Sequence, residues 1–92
     1  MLTFQQKKDF MMTQLFQAKS LNSSEKLVAL CMVFKIDDHG RSDIRVTELS
    51  DMARRHERTI RHIIHALQAK IDLHVTFSQG KNVYTFIQWA QL

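Results

Sequence analysis

Ninety-two residues suffice for one domain around one core, and 45% hydrophobic with 24% charged residues is the balance of a folded globular chain rather than a disordered one. No stretch approaches the roughly 18 consecutive apolar residues of a membrane span, and the single cysteine, Cys31, excludes an intramolecular disulfide. The net charge of +4 admits a polyanionic partner without requiring one.

Residues 3–18, TFQQKKDFMMTQLFQA, are expected to form a helix. Phe4, Lys8, Met11, Met12, Leu15 and Phe16 recur at spacings of three and four. Such a stripe is core, or the contact of a homodimer through this N-terminal element, residues 1–20. Asn22 with Glu25 three residues on marks the start of a second helix through a capping box. Its expected buried face is Leu27, Leu30, Cys31 and Phe34, which makes Cys31 an inert buried thiol. Asp37-Asp38-His39-Gly40 ends that element, with Gly40 free to take positive φ.

Ile44-Arg45-Val46 is short and β-branched at both ends, and is expected to be a brief strand. Thr47 is the expected cap of a helix over 48–54, and a longer helix over 57–70 follows a short turn. Val75, Phe77, Val83, Tyr84, Phe86 and Ile87 favour strands on either side of Ser78-Gln79-Gly80-Lys81-Asn82, a hairpin within 72–89. Tyr84 and Phe86 are read as core rather than as exposed base-stacking residues. The chain is thus mainly α with a small β-hairpin, an α+β fold in one domain over 1–92. Its order is helix, helix, short strand, helix, helix, strand, strand.

Charge is unevenly spread. Residues 36–53 carry Arg41 and Arg45 against Asp37, Asp38, Asp43, Glu48 and Asp51, a net of −3. Residues 54–92 carry six cations against Glu57 and Asp72, a net of +4. At about 100° per residue, Ile60, Ile63, Ile64, Leu67 and Ile71 fall on one stripe of the helix over 57–70. Arg58, Arg61, His62 and His65 fall on the opposite one. A solvated face mixes signs at four-residue spacing, whereas this one has no acid after Glu57. Aligned cations repel one another and fit a polyanion, with an ordinary solvated face as the bland alternative.

His62 and His65 with nearby His56 have a spacing that zinc ligands can share. No cysteine or carboxylate cluster completes the set, and arginines flank it, so no metal site is expected. Protonation of these histidines beside a polyanion would strengthen its binding below neutral pH. There is no Gly-rich phosphate loop and no nucleophile or paired-carboxylate grouping. Neither catalysis, a cofactor nor a small-molecule ligand is expected. Lys7, Lys8 and Asp9 after apolar residues are not in signal-peptide order. With the lone cysteine, this gives a cytoplasmic expectation.

TELSDMARRHERTIRHIIHALQ followed by VTFSQGKNVYTFI resembles the winged helix-turn-helix domains of phage and plasmid replication proteins and of bacterial transcription regulators. The Glu57–Arg61 run, Leu67 and the Asn82–Phe86 strand carry the resemblance, which spans about Glu25 to Ile87. It implies a helix-turn-helix over 47–70, in which Ser50 lies where the two helices cross, and a wing hairpin over 72–89. It implies that Arg58, Arg61, His62 and His65 face the major groove of double-stranded DNA, with Arg58 and Arg61 placed for guanine. Thr59 would meet a phosphate, or would cap locally. Arg54, Arg55 and Thr47 would flank the groove on phosphates, and Lys81 would be the wing contact or a solubilising turn lysine. Glu57 would favour the positive helix end rather than accept from cytosine.

The chain departs from that family at the turn. Arg54 stands where glycine is usual, Arg55 where an apolar residue is usual, and His56 where a Ser or Thr cap is usual. The two roles implied are a replication initiator's DNA-binding region, with further domains expected after Leu92, and a small dimeric regulator. A protein-interaction adaptor on the same frame, meeting an acidic protein, is the competing expectation.

Overall fold

The computed structural model describes residues 1–92, and its first two helices begin in the same way. Thr3 Oγ1 accepts from the Gln6 N–H while Gln6 Oε1 accepts from the Thr3 N–H, which starts α1 (Phe4–Gln17). Asn22 and Glu25 make the same reciprocal pair, both at 2.9 Å, and start α2 (Ser23–Phe34) as expected. The last carbonyls of each helix lack intrahelical partners, and each helix lends the other a cation. Lys8 of α1 donates to the Phe34 carbonyl at 3.1 Å, and Lys26 of α2 to the Phe16 carbonyl at 2.7 Å. α1 and α2 therefore lie antiparallel.

The buried faces of these helices differ from those expected. In α2 the fully buried residues are Val28, Ala29, Met32 and Val33, joined by Cys31, while Leu27 and Phe34 are exposed and Leu30 is half-buried. α2 is apolar around most of its circumference, so spacing alone leaves two candidate stripes. The choice falls to the elements packed on it, α1 on one side and two later helices on another. In α1, Met11 and Leu15 enter the core, but Phe4, Met12 and Phe16 stay at the surface. Burial raises the Cys31 thiol above its ordinary pKa.

The short strand also lies elsewhere than expected. β1 is Arg41–Ser42, not 44–46. Asp37 Oδ1 accepts from the His39 and Arg41 N–H groups, and the Gly40 N–H returns to the Asp37 carbonyl, so the turn delivers the chain to the sheet edge at Arg41. Gly40 has φ +76°, and a Cβ there would lie 2.5 Å from Trp89, so both conformation and contact require glycine. Trp89 Nε1 donates to the Asp38 carbonyl and locks this turn. Ile44 is a core residue and Val46 is already helical.

α3 (Val46–Ala53) starts one residue before the expected cap, so Thr47 lies inside the first turn and caps nothing. Glu48 Oε1 instead accepts from the Arg45 N–H, and Lys35 pairs with the same carboxylate. Arg54 closes α3 in the left-handed conformation at φ 53°, its N–H and that of Arg55 both reaching the Ser50 carbonyl. After Arg55 and His56, α4 (Glu57–Lys70) begins, with the bounds expected. His56 is not a lost cap: its Nδ1 accepts from the Arg58 N–H at 3.1 Å.

β2 (Leu73–Ser78) and β3 (Lys81–Phe86) form the hairpin, paired from Leu73↔Phe86 to Ser78↔Lys81. Gln79 and Gly80 both have positive φ, which suits the right-handed twist of the flanking strands. The chain leaves the sheet at Phe86, and residues 87–91 form a 3₁₀ turn rather than more strand. The sheet is antiparallel, in the order β1-β3-β2. The protein is α+β: four helices and a three-stranded antiparallel sheet around twenty buried apolar residues. Tyr84 and Phe86 are core, as expected. No helix is long and apolar enough to cross a membrane.

Candidate nucleic-acid interface

α4 is amphipathic in the expected sense. Ile60, Ile63, Ile64 and Leu67 are buried, while Arg58, Arg61, His62 and His65 are all exposed. Glu57 at its start pairs with Arg61 across one turn at 3.4 Å, in the favoured order with the acid nearer the N-terminus. Arg61 is largely exposed and Glu57 partly so, and the pair restrains Arg61 only weakly. Arg58, His62 and His65 have no acidic partner within 4 Å. Thr59 is exposed on the flank of the same helix, and its side chain makes no hydrogen bond, so it does not cap locally.

The turn before α4 adds two arginines of different character. Arg54 projects into solvent from its left-handed backbone position. Arg55 folds back: Nη1 donates to the carbonyls of Ala53 and Arg54, and Nη2 reaches Ser24 Oγ at the start of α2. Its guanidinium thereby satisfies the end of α3, where carbonyls lack helical partners. Thr47 is exposed on the first turn of α3.

Lys81 is not a free tip residue. It opens β3, is half-buried, and pairs with Asp43 at 2.8 Å, which holds the Asp43 carboxyl below its usual range. Asp37–Arg41 and Glu48–Lys35 lie in the same region, so much of the acidic segment is neutralised locally. Unpaired cations lie in two places, Lys7, Lys8, Lys19 and Lys26 on and beside α1 and α2, and four arginines around α3. Arg45, Arg54, Arg55 and Arg58 have no acidic partner, and they sit at the two ends of α3 and the start of α4.

Arg45 and Phe77 lie outside the expected set. Arg45 lines a cleft of about 240 Å³ between the start of α3 and the hairpin, with Asp43, Val46, Lys81, Asn82 and Tyr84. The Arg45–Glu48 spacing was its only signal, and the apparent strand over 44–46 hid it. Phe77 is 75% exposed although it shares a sheet face with Leu73 and Val75. Alternation makes it look like core, but nothing in the fold packs over it.

Two buried hydroxyls, Ser42 Oγ and Tyr84 Oη, lack hydrogen-bond partners on paired positions of β1 and β3. Burial raises the Tyr84 phenol above its usual pKa, so it stays neutral. No group of three or more His, Cys, Asp or Glu side chains is placed to hold a metal ion. Set against known protein families, curated proteins and solved structures, the chain has no significant match to any.

Proposed function

We propose that the chain is a winged helix-turn-helix domain that binds double-stranded DNA without catalysis. The order α2-β1-α3-α4-β2-β3, the three-residue turn between α3 and α4, and a sheet in which β3 lies between β1 and β2 all suit that frame. The observation that carries the reading is the outward face of α4. There Arg58, His62 and His65 stand exposed and unpaired, beside Arg61 and above the free Arg54. A helix of this width fits the major groove, and its N-terminal half reaches base edges.

The roles divide accordingly. Arg58 and Arg61 read guanine, and Arg61 leaves Glu57 to do so. His62 and His65 face the groove further along. Arg54, Thr47 and Thr59 touch phosphates. Arg55 holds the turn and adds charge rather than contact. Lys81 reaches a phosphate once Asp43 releases it. Such a domain serves a phage- or plasmid-type replication initiator or a small transcriptional regulator.

Fluorescence anisotropy of labelled duplex DNA across a salt series tests this. The parent should bind with a steep salt slope, because phosphate contacts release counterions. Arg58→Ala should weaken binding by about 1–3 kcal/mol and relax specificity at one base pair, while Arg54→Ala should weaken all sequences alike and lower the slope by about 1. A parent that fails to bind at low salt would overturn the reading and favour an acidic protein as the partner of the same face.

A further inference from the structure

We infer that the outer faces of α1 and α2 together form the contact surface of a homodimer. A helix that is apolar all round is ordinarily buried all round. α2 buries Val28, Ala29, Met32 and Val33 but leaves Leu27 and Phe34 exposed and Leu30 half-covered on its other side. α1 extends that surface rather than covering it. Met12, Phe16 and Leu30 line one apolar groove of about 430 Å³, and Phe16, Leu27 and Leu30 line a second of about 310 Å³.

The occupant follows from the size and shape of this band. Phe16 is 70% exposed, Phe34 64%, Met12 40% and Leu27 37%. At about 200 Å² for a fully exposed side chain of this kind, that is roughly 400 Å² of apolar surface. A stable interface takes about 800 Å² from each partner, and in homodimers about 65% of it is apolar, roughly 520 Å². The band therefore supplies most of the apolar share of one half-interface. It also suits its own copy. An aromatic ring stands at each end, Phe16 under Lys26 and Phe34 under Lys8, with Met12, Leu27 and Leu30 between. Rotation by a half-turn brings a Phe16 end onto a Phe34 end, and the protruding Phe16 lies beside grooves that a partner's ring can enter. An isologous contact needs this self-matching. None of the band residues belongs to the basic surface, so both α4 faces stay open. The dimer is thus larger than one built on residues 3–18 alone, and it does not depend on DNA binding.

Sedimentation equilibrium of the 92-residue chain, from low to high micromolar, tests the inference. The parent should approach twice its 10.8 kDa mass. Leu27→Asp and Phe34→Ser, both at exposed positions, should each weaken self-association at least tenfold while far-UV circular dichroism and melting stay as in the parent. A parent that remains at monomer mass throughout, or two folded variants that associate as the parent does, would overturn it. A parent that dimerises but binds no DNA leaves it standing and defeats only the DNA reading.

Discussion

Arg54 carries two opposing demands at one position. Its left-handed backbone costs a residue with a Cβ about 1–2 kcal/mol, and glycine, the usual remedy, gives back about 0.5–1 kcal/mol in chain entropy. Arg54→Gly should therefore stabilise the fold by roughly 0.5–1 kcal/mol, a rise in Tm of about 4 °C for a domain of this size. If Arg54 touches phosphate, the same change should lower DNA affinity a few-fold and flatten the salt slope. Thermal melting and anisotropy on one preparation check both; a Tm below the parent's would remove the strain argument. Tyr84 presents a second residue-scale case. Its hydroxyl is buried and makes no hydrogen bond of ordinary geometry, with the Asn82 side chain near it, and an unmade buried hydrogen bond costs about 1–3 kcal/mol. Tyr84→Phe should leave the melting temperature unchanged or raise it, and a clear fall would show that the hydroxyl is satisfied in solution.

At the scale of elements, the start of α2 and the end of α4 are joined by one carboxylate. Glu25 is buried, caps Asn22 and accepts two hydrogen bonds from Lys70 at 3.0 Å. The backbone N–H of Asn22 first, and Lys70 second, lower its pKa from the ordinary value of about 4.3. A lowered folded pKa means that the unfolded chain binds the proton more readily. The stabilisation is therefore complete above about pH 4.3 and is lost as pH falls through the lower folded value. Glu25→Gln keeps an acceptor for Asn22 but loses the charge. It should cost about 0.5–1 kcal/mol at neutral pH, and that deficit should close in acid. Urea melts at pH 7 and pH 3 would show this, and an equal deficit at both would contradict it.

The Asn22–Glu25 capping box and the α4 stripe are legible in the sequence because their partners lie three or four residues apart. The buried face of α2 was not. With apolar residues on most sides, its pattern names no single stripe, and α1, α3 and α4 decide. The short strand is expected at 44–46 and forms at 41–42 for a related reason. Two residues hold too little pattern, and their strand character comes from pairing with Thr85 and Tyr84.

At the scale of the whole molecule, the charge pattern is redistributed by long-range pairing. Asp43 and Lys81 are 38 residues apart and bonded, so the hairpin cation is held in check. Asp43→Asn should free Lys81 and strengthen DNA binding about two- to fivefold at low salt, the gain shrinking as salt rises. Stability should change little, since Asp43 is exposed and Lys81 only half-buried, so water screens the pair. Anisotropy measures this directly; unchanged or weaker binding would place Lys81 away from DNA.

Local pattern along the chain suffices for the helix start at Asn22, the polarity and bounds of α4, the hairpin turn at Gln79-Gly80, and the candidates on α4's outer face. Each rests on groups close together in the chain, where helical spacing, capping and turn conformation act alone. Folding alone settles which side of α2 is buried, where β1 forms, and that Arg55 reaches Ser24 while Lys81 is held by Asp43. These depend on contacts between distant segments. There, competing partners of similar chemistry are separated by which of them the packed core brings within reach.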